Sequence, residues 1–421
     1  MDAVSAFTQS DLKEEIYVTQ PDGYDKGSPN KVCLLKKSLY GLKQASWNWR
    51  NDVETFMKSI GFKTCVMDEN VFHMMSRSNL VLIMCLYVDD TITVAHPDDK
   101  KELEEIIIKI KNKFKIKDLG EPKALLGIRI QRDINTGAIT LDQPNYIEKI
   151  LKRFNIVHTK GAYTPDVKEV DHYGPLSLEH CPKTDEDKKY MESKNYRALV
   201  GSLLYLTICT RPDIAHAVSV LTRFTSNPGP KHWDAGIRIL KYINMTRNIG
   251  LVFGDDKESS FKIQSYSDAN WGNDIHGQKS IYGFIIFIGH SPISWICKKQ
   301  NFVALSTCES EYVGISETIR EMKWIHNLLR ELKIKVETPI LHGDNLGSLA
   351  IAADTSMNSR IKSIDIKYHF IKDEVFKKNV ILKYVSTVYN IADIFTKPLD
   401  KKRFIALRNM IMNLNTSLPL S

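Results

Sequence analysis

The stretch Leu80-Val-Leu-Ile-Met-Cys-Leu-Tyr-Val-Asp-Asp-Thr-Ile-Thr-Val-Ala95 consists of two apolar runs on either side of a polar pair. Short β-branched runs that flank a polar pair predict a β-hairpin. The pair, Asp89 and Asp90, puts two carboxylates side by side, which is unfavourable through desolvation and repulsion unless a cation is bound. Mg²⁺ prefers oxygen ligands and keeps positions open for phosphate oxygens. The stretch therefore predicts a hairpin with a magnesium site, and an ordinary aspartate-containing turn is the alternative.

The composition is that of an ordinary globular protein. The chain has 421 residues, of which 43% are hydrophobic and 26% charged, and this length favours about two to three domains. The 58 Lys and Arg residues exceed the 50 Asp and Glu residues, which permits a polyanionic partner without requiring one.

The cysteines and the N-terminus bear on the cellular compartment. The seven cysteines are scattered without a Cys-x-x-Cys pair, which favours a reducing compartment and argues against a disulfide framework or a zinc site. The segment Met1–Ser5 is not typical of a signal peptide, and no apolar run is long enough to span a bilayer. We therefore expect a protein that is not secreted and has no membrane partner.

Residues 1 to about 130 carry further motifs in a fixed order. Asp2 is followed five residues later by the aromatic Phe7. Three more motifs come after it: Asp11-Leu-Lys-Glu-Glu-Ile-Tyr17, Ser38-Leu-Tyr-Gly-Leu-Lys-Gln-Ala45 and Phe114-Lys-Ile-Lys-Asp-Leu-Gly120. Together with the Tyr-Val-Asp-Asp hairpin, this order resembles the polymerase palm of copia-type LTR retrotransposon reverse transcriptases.

The resemblance implies roles for particular residues. The metal-binding carboxylates would be Asp2, Asp89 and Asp90, because two metal ions neutralise the charge that develops during phosphoryl transfer. The nucleotide-binding residues would be Phe7, Tyr40, Gly41 and Tyr87. The chain begins at the first catalytic motif and has Ser46 where the family usually has proline. We therefore expect the fingers to be missing and the chain not to polymerise by itself.

The region from about 131 to 257 is expected to be a mainly helical thumb and connector. Helical patterns begin near Pro144, Tyr196, Arg211 and Lys231, and they again resemble the copia-type polymerase beyond its palm. Within the palm, residues 101–117 combine apolar residues at helical spacing with several lysines. An amphipathic helix with a solvated basic face is favoured there over a phosphate-binding surface.

Residues from about 258 to 400 show the element order of the ribonuclease H fold. The patterns predict strands at 261–266, 281–288 and 292–297, and then a long helix at 303–332. They predict further strands at 339–342 and 380–385, with helical segments near 348–353 and 366–376 between them and a final helix from Ile391 onward.

Four acidic residues fall at strand ends and helix starts of this region. They are Asp268, Glu309, Asp344 and Asp393. Carboxylates that meet at one point repel strongly unless cations hold them, so all four in order predict a two-metal hydrolase centre. Solvated caps are the alternative for any one of them. Following the motif of copia-type ribonuclease H, we take Glu309 as the ligand and expect Glu311 to be an exposed helix acid.

The expected fold class is a multidomain α+β and α/β protein with a partial reverse transcriptase palm and thumb and a ribonuclease H-like mixed sheet. The expected domains are a palm at 1–130, a thumb and connector at 131–257, a ribonuclease H-like domain at 258–400 and a tail at 401–421. The resemblance implies RNA-templated DNA synthesis in the intact parent protein and hydrolysis of RNA in RNA–DNA hybrids.

The resemblance also implies cofactors, partners and a location. Two Mg²⁺ ions per active site are expected, with Mn²⁺ as an alternative. The partners would be RNA, DNA, RNA–DNA hybrids, deoxynucleoside triphosphates and the remaining Pol or Gag segments of the parent element. The protein would be cytoplasmic, inside the virus-like particle of an active element, with the nucleus as a second location.

Three other interpretations stay open. The chain could be a retrotransposon remnant that folds, binds nucleic acid and catalyses nothing. It could be a polymerase whose fingers are supplied by another chain. An integrase-type transposase also has an acidic centre of this kind, but the Tyr-Val-Asp-Asp hairpin argues against that class.

Overall fold

The structure is a computed structural model. It describes residues 1–24, 31–156, 160–166, 175–254, 261–272, 277–353 and 365–414. The chain divides into two compact units. Unit 1 comprises Met1–Pro122 and Asn327–Ile334, and unit 2 comprises Lys123–His326 and Lys335–Ser421.

Unit 1 is built on an antiparallel sheet with the strand order β4-β5-β6-β7-β1-β8. Its elements are β1 Asp2–Ala3, β2 Tyr17–Thr19, β3 Val32–Leu34, α1 Ala45–Ser59, β4 Lys63–Thr64, β5 Val71–Met75, β6 Val81–Tyr87, β7 Asp90–Val94, α2 Lys100–Lys113 and β8 Ile116–Lys117. The predicted hairpin is confirmed as β6 and β7, and the predicted amphipathic helix as α2.

The core of unit 1 lies between this sheet and the two helices. Along β6, the alternate residues Leu82, Met84 and Leu86 are buried, as the two-residue period of a strand requires. They belong to one cluster with buried side chains of α1 and α2, including Trp49 and Ile106. The hairpin is therefore fixed on one face by the helices, and its turn projects from the end of the sheet.

Unit 2 contains two sheets and a group of helices. Its elements are β9 Ala124–Leu125, β10 Ile128–Arg132, β11 Ile139–Asp142, α3 Pro144–Arg153, α4 Asp185–Glu192, α5 Tyr196–Cys209, α6 Ala215–Thr222, α7 Pro230–Met245, β12 Leu251–Phe253, β13 Ile263–Asn270, β14 Ile281–Ile288, β15 Ser291–Lys299, α8 Thr307–Glu331, β16 Ile340–Gly343, α9 Leu346–Ala353, α10 Asp365–Phe376, β17 Ile381–Tyr384 and α11 Lys401–Ile411. The last residues of α8, from Asn327 onward, belong to unit 1. None of the helices in the described ranges is long and apolar enough to cross a membrane.

The larger sheet of unit 2 has the order β15-β14-β13-β16-β17. The first three strands are antiparallel, whereas β16 is parallel to both β13 and β17. Three antiparallel strands, a long helix and then strand–helix units form the ribonuclease H-like sheet that the order of patterns predicted. The predicted helices at 348–353 and 366–376 are confirmed as α9 and α10.

The C-terminal part of the chain differs from the prediction. Residues 401–421 were expected to be a tail, but Lys401–Ile411 form α11 and bury Phe404, Leu407 and Ile411. These residues recur at helical spacing, and Asp400 caps the helix by accepting hydrogen bonds from two backbone amides. The predicted helix from Ile391 is a short 3₁₀ turn, Ile391–Phe395. Residues 415–421 lie outside the described part.

The predicted boundary near residue 257 falls inside one continuous core. Buried residues of the helical region, such as Leu199 and Ile243, belong to the same cluster as Tyr266 and Ile285 of the larger sheet. A second sheet, with the order β12-β11-β10-β9, crosses the predicted palm boundary at residue 130, and the patterns did not predict it. The thumb-like and ribonuclease H-like segments are therefore one compact unit in this structure.

A fully buried ion pair lies in the turn that precedes α6, and a tyrosine of α7 contacts it. Arg211 and Asp213 have no exposed side-chain surface and form two parallel hydrogen bonds of 2.9 and 2.7 Å. The hydroxyl of Tyr242 donates to the same carboxylate at 2.6 Å. Burial opposes the charge on Asp213, yet its pKa is lowered because Arg211 and Tyr242 stabilise the ionised form. The pair is stable because each charge has its partner.

We expect Arg211→Met to destabilise unit 2 by about 3–5 kcal/mol, because it leaves the Asp213 charge buried without its cation. Denaturant unfolding monitored by circular dichroism measures the loss. Lys188→Met is the matched control, since Lys188 and its partner Asp185 are exposed and such pairs contribute at most about 1 kcal/mol. Equal effects of the two substitutions would contradict the interpretation of the buried pair.

Candidate active sites

The turn of the β6–β7 hairpin has a strained backbone held by a buried tryptophan. Tyr87 pairs with Asp90 across the turn, and Val88 between them has a φ of +56°. This left-handed conformation is unfavourable for a β-branched residue. The indole Nε1 of Trp49 donates to the carbonyl oxygen of Val88 at 2.6 Å, and Trp49 is only 2% exposed. The buried indole thus helps to position the turn that carries the two aspartates.

The sheet brings Asp2 next to Asp90. The two residues are opposite each other in the β1–β7 pair, and the adjacent amide of Ala3 donates to the carbonyl of Asp89 at 2.8 Å. This pattern makes Asp2 and Asp90 a non-hydrogen-bonded pair, in which facing side chains are closest. Partial burial, Asp89 and Asp2 together raise the pKa of Asp90 above its ordinary value. The three predicted palm carboxylates therefore share one end of the sheet and repel one another.

The predicted nucleotide-binding residues form two groups. The rings of Phe7 and Tyr40 are in contact, with their centroids 4.6 Å apart. Gly41 follows with a φ of +98°, a conformation that favours glycine. Tyr87 lies on the hairpin and is 59% exposed. The structure thus brings Phe7, Tyr40 and Gly41 together, and it places Tyr87 with the carboxylates.

A second acidic centre lies in unit 2, at one end of the larger sheet. Asp268 comes from β13, Glu311 from the first turns of α8, and Asp344 directly follows β16. One carboxylate oxygen from each lies within 4.8 Å of those from the other two. Burial, followed by the charges of Asp268 and Asp344, raises the pKa of Glu311 well above its ordinary value. Burial and Asp268 likewise raise the pKa of Asp344.

Glycine at two positions permits this convergence. A Cβ on Gly314 of α8 would lie 3.0 Å from the hydroxyl of Ser267, next to Asp268. A Cβ on Gly283 of β14 would lie 2.4 Å from Phe395, in the segment that follows Asp393. Small residues are required where backbone segments approach this closely. The helix and the 3₁₀ turn can therefore both reach the end of β13.

The structure corrects the choice between the two glutamates of α8. Glu311 is buried and joins Asp268, and its carboxylate accepts a hydrogen bond from the amide of Ala269 at 3.1 Å. Glu309, the predicted ligand, instead accepts a hydrogen bond from the amide of Leu305 at 2.6 Å, while its own amide donates to the hydroxyl of Ser306. This arrangement resembles a capping box, in which a glutamate three residues after a serine closes the start of the helix. The Ser-x-x-Glu spacing was a signal for that role in the sequence.

Asp393 lies beside the three converging carboxylates but its oxygens have cationic partners. Its Oδ1 is 2.7 Å from the ammonium of Lys397, and its Oδ2 is in contact with the guanidinium of Arg403. Asp268 in turn accepts a hydrogen bond from the hydroxyl of Thr396. Asp393 is fully buried, and burial together with the charge of Asp268 raises its pKa to about 7, although Lys397 and Arg403 favour the ionised form. The patterns of the sequence identified Asp393 but gave no role to the three residues that surround it.

Unit 1 contains another group of possible metal ligands, Cys65, His73 and Glu331. Burial and the nearby Glu331 raise the pKa of Cys65 to about 11, which keeps the thiol protonated. Glu331 already accepts hydrogen bonds from the amides of Val66 and Met67, at 2.7 and 3.3 Å. Packing and backbone capping account for this group without a metal ion.

Comparisons with known proteins place this geometry in a family. Residues 1–168 match the family model described as reverse transcriptase (RNA-dependent DNA polymerase). The chain is 36% identical to the retrovirus-related Pol polyprotein from transposon TNT 1-94 of Nicotiana tabacum. The match extends over 412 residues, which are 98% of this chain and 30% of that protein. It is 30% identical over 325 residues to a putative transposon Ty5-1 protein of Saccharomyces cerevisiae, across 76% of this chain and all of that protein.

The chain belongs to the copia-like retrotransposon Pol family. A second plant member, the Pol polyprotein from transposon RE1 of Arabidopsis thaliana, is 36% identical over 408 residues, which are 96% of this chain and 26% of that protein. The chain thus spans between a quarter and a third of the length of the plant Pol polyproteins. The predicted family resemblance is confirmed.

Solved structures resemble the chain at low sequence identity. The foamy viral protease-reverse transcriptase in complex with dsDNA is 11% identical, covers 84% of this chain and 61% of that chain, and has a TM-score of 0.43. LC11-RNase H1 is 12% identical, covers 32% of this chain and 92% of that chain, and has a TM-score of 0.26.

Both acidic centres of this Pol-family chain have all-oxygen donor sets. Reverse transcriptase and ribonuclease H families generally use divalent metal ions, and carboxylate oxygens suit Mg²⁺ and Mn²⁺ rather than softer ions. In unit 2, the donors that fit such an ion are Asp268, Glu311 and Asp344. The pKa of Glu311 is raised because negative charges are concentrated where water is excluded. A bound divalent ion would neutralise those charges.

We expect Trp49→Phe to loosen the hairpin turn by about 1–2 kcal/mol, because the Val88 carbonyl loses its indole donor. Hydrogen exchange of the amides of β6 and β7 should then quicken by about 5- to 30-fold. Trp47→Phe is the control, since Trp47 is 58% exposed and surface changes usually stay within about 0.5 kcal/mol. Unchanged exchange in Trp49→Phe would show that the hydrogen bond does not hold the turn.

We expect Glu311→Gln to raise the Tm in metal-free buffer at neutral pH. The raised pKa means that the folded state favours the neutral carboxyl, so removal of the charge relieves repulsion, and each kcal/mol relieved corresponds to about 2–4 °C. Glu309→Gln, in the same helix turn, should leave the Tm nearly unchanged. Added Mg²⁺ should stabilise the wild type and Glu309→Gln more than Glu311→Gln. A lower Tm for Glu311→Gln would contradict the assignment of Glu311.

Proposed function

We propose that the acidic centre of unit 2 hydrolyses the RNA strand of RNA–DNA hybrids. The observation that carries the proposal is the convergence of Asp268, Glu311 and Asp344 from three separate elements, in a chain of the retrotransposon Pol family. Buried carboxylates at this spacing are unfavourable for stability alone. Their chemical value is that they hold divalent cations at a point where a phosphodiester can be placed.

Each residue has a defined task in this proposal. Asp268, Glu311 and Asp344 would hold the divalent ions, which supply charge neutralisation at the phosphate and activation of a water molecule. The amide of Ala269 fixes the carboxylate of Glu311 through its hydrogen bond. Hydrolysis adds water across the bond between phosphorus and the 3′-oxygen, and it leaves a 3′-hydroxyl on the RNA. In the free protein, the carboxylate of Asp393 contacts the side chains of Lys397 and Arg403 and is therefore not assigned as an ion ligand.

Recognition of the hybrid would rest on backbone features. Lys298, which is exposed, and Lys299 end the edge strand β15, and their charges suit phosphates without regard to base sequence. The 2′-hydroxyl distinguishes an RNA strand from DNA. We propose RNA, DNA and RNA–DNA hybrids as partners, together with other Pol or Gag segments of the parent element, in the cytoplasm.

For unit 1, we propose the palm of an RNA-directed DNA polymerase that acts in the intact parent protein. The support is the side-by-side position of Asp2 and Asp90 at the strained turn, with Asp89 adjacent. These residues would hold divalent ions for nucleotidyl transfer from deoxynucleoside triphosphates. Phe7, in contact with Tyr40, would lie at the sugar of the incoming nucleotide.

We expect the full chain to cleave a labelled RNA–DNA hybrid in Mg²⁺ and to leave duplex DNA intact. Asp268→Asn and Glu311→Gln should each reduce the rate by at least about 100-fold, since charge stabilisation by a metal site is worth several kcal/mol. Glu309→Gln should retain most of the rate, provided that its helix start is intact by circular dichroism. Asp90→Asn is a second control, because it alters only the palm.

Two results would defeat this proposal. One is the absence of hybrid cleavage by the folded wild type, which would favour a remnant that at most binds nucleic acid. The other is cleavage that Asp268→Asn leaves unaffected, which would indicate a contaminating nuclease.

A further inference from the structure

The ammonium of Lys397 lies between two carboxylates of the acidic centre in unit 2. Its Nζ is 2.7 Å from Oδ1 of Asp393 and 3.6 Å from Oδ2 of Asp268. Burial opposes a charge on Lys397, yet its pKa is raised because Asp268 and Asp393 stabilise the ammonium. A positive charge therefore already occupies the space between Asp268 and Asp393.

The two carboxylates that contact Lys397 use different oxygens for different partners. Asp393 has Oδ1 toward Lys397 and Oδ2 toward Arg403, so both its oxygens are engaged by cations. Asp268 directs Oδ2 to Lys397 and also to the hydroxyl of Thr396. Asp393 consequently does not belong to the group of mutually close ligands, which is formed by Asp268, Glu311 and Asp344.

The charges of the centre leave room for one divalent ion. When all four carboxylates are ionised, as divalent-ion ligands must be, Asp268, Glu311, Asp344 and Asp393 supply four negative charges, and Lys397 and Arg403 supply two positive ones. The remaining two negative charges equal the charge of one Mg²⁺ or Mn²⁺ ion. A second ion between Asp268 and Asp393 would be at close range of the ammonium, where like charges repel strongly.

The side chain of Lys397 can move its ammonium away from Asp268 and Asp393. Its side chain is 33% exposed, and a lysine has a flexible stem that bears a single point charge. Its backbone, by contrast, is fixed by the hydrogen bond from its amide to the carbonyl of Asp393 at 3.2 Å. The backbone can thus stay in position while the ammonium moves to another anion, such as a phosphate of a bound nucleic acid.

We propose that Lys397 occupies the position of the second divalent cation in the free protein and limits the centre to one ion. This inference rests on the proposed nuclease function of the same site. The ion held by Asp268, Glu311 and Asp344 binds without hindrance. The second position becomes available only when the ammonium of Lys397 has left Asp268 and Asp393.

The test counts Mn²⁺ ions bound by the full chain, by electron paramagnetic resonance of the free ion. All proteins carry Asp89→Asn and Asp90→Asn, so that the palm carboxylates contribute no site. The background protein should bind one Mn²⁺, and Lys397→Met should bind two, because Asp393 then gains a free oxygen. Lys397→Gln is the second variant, used if the methionine variant does not fold.

Two control variants distinguish the effect of the position of Lys397 from the effect of losing one positive charge. Lys402→Met removes an equal charge from an exposed lysine of α11, and it should keep the stoichiometry at one ion. Lys397→Arg retains a cation and should also keep it at one. If both controls bind one ion and Lys397→Met binds two, the inference is supported.

Three outcomes overturn the inference: two ions in the background protein, one ion in the folded Lys397→Met variant (or in Lys397→Gln where it replaces it), or two ions in Lys402→Met. They are distinguishable from failure of the nuclease proposal. That proposal fails if the folded wild type cleaves no hybrid, whatever the number of Mn²⁺ ions bound. Hybrid cleavage by a wild type that binds two ions in unit 2 would overturn only the role of Lys397.

Discussion

Repulsion between carboxylates that the backbone forces together is the constraint on which both acidic centres depend. In unit 1, the pairing of β1 with β7 makes Asp2 and Asp90 face each other at the shortest cross-strand separation. In unit 2, a strand, a helix start and a loop after a strand direct Asp268, Glu311 and Asp344 to one point. Neither arrangement lowers the free energy of the folded chain by itself, because burial and like charges both oppose ionisation. Each centre is therefore stable only because the surrounding core fixes the backbone.

The chain neutralises buried acids in two contrasting ways. Asp213 has a complete set of protein partners, since Arg211 and Tyr242 satisfy both its oxygens, and its pKa is lowered. Glu311 receives one amide hydrogen bond and faces two other carboxylates, and its pKa is raised. The first arrangement is complete and structural. The second has an excess of negative charge, which is what distinguishes a cation-binding site from an ion pair that stabilises the fold.

Much of the fold was predictable because local patterns and tertiary structure agree. Strand β6 of the hairpin alternates in burial, and α8 follows the helical period of its apolar residues. Helix α11 was missed because its apolar residues were treated as part of a terminal tail, although Phe404 and Leu407 show helical spacing. The sheet formed by β9 to β12 was missed because its strands are short. Its β9–β10 and β10–β11 pairs are local, but β12 joins β11 across a long separation in sequence, which local patterns do not encode.

In the candidate sites, too, some features follow from local sequence patterns and others depend on tertiary structure. The acids at strand ends and helix starts were predicted as a set in the order of the ribonuclease H fold, and of these the structure brings Asp268 and Asp344 together with Glu311. Choosing Glu311 instead of Glu309 requires knowing where α8 starts, because Glu309 caps the start of the helix and Glu311 is left for the site.

The contribution of Lys397 could not be predicted from spacing, because it depends on how close the turn at Ile391–Phe395 comes to β13. That approach is permitted by the missing side chain of Gly283 on a neighbouring strand. The glycine on β14 thus allows the turn before Lys397 to approach the sheet, and the ammonium of Lys397 lies 3.6 Å from Asp268. The electrostatics of the site follow from backbone packing at a residue that carries no charge.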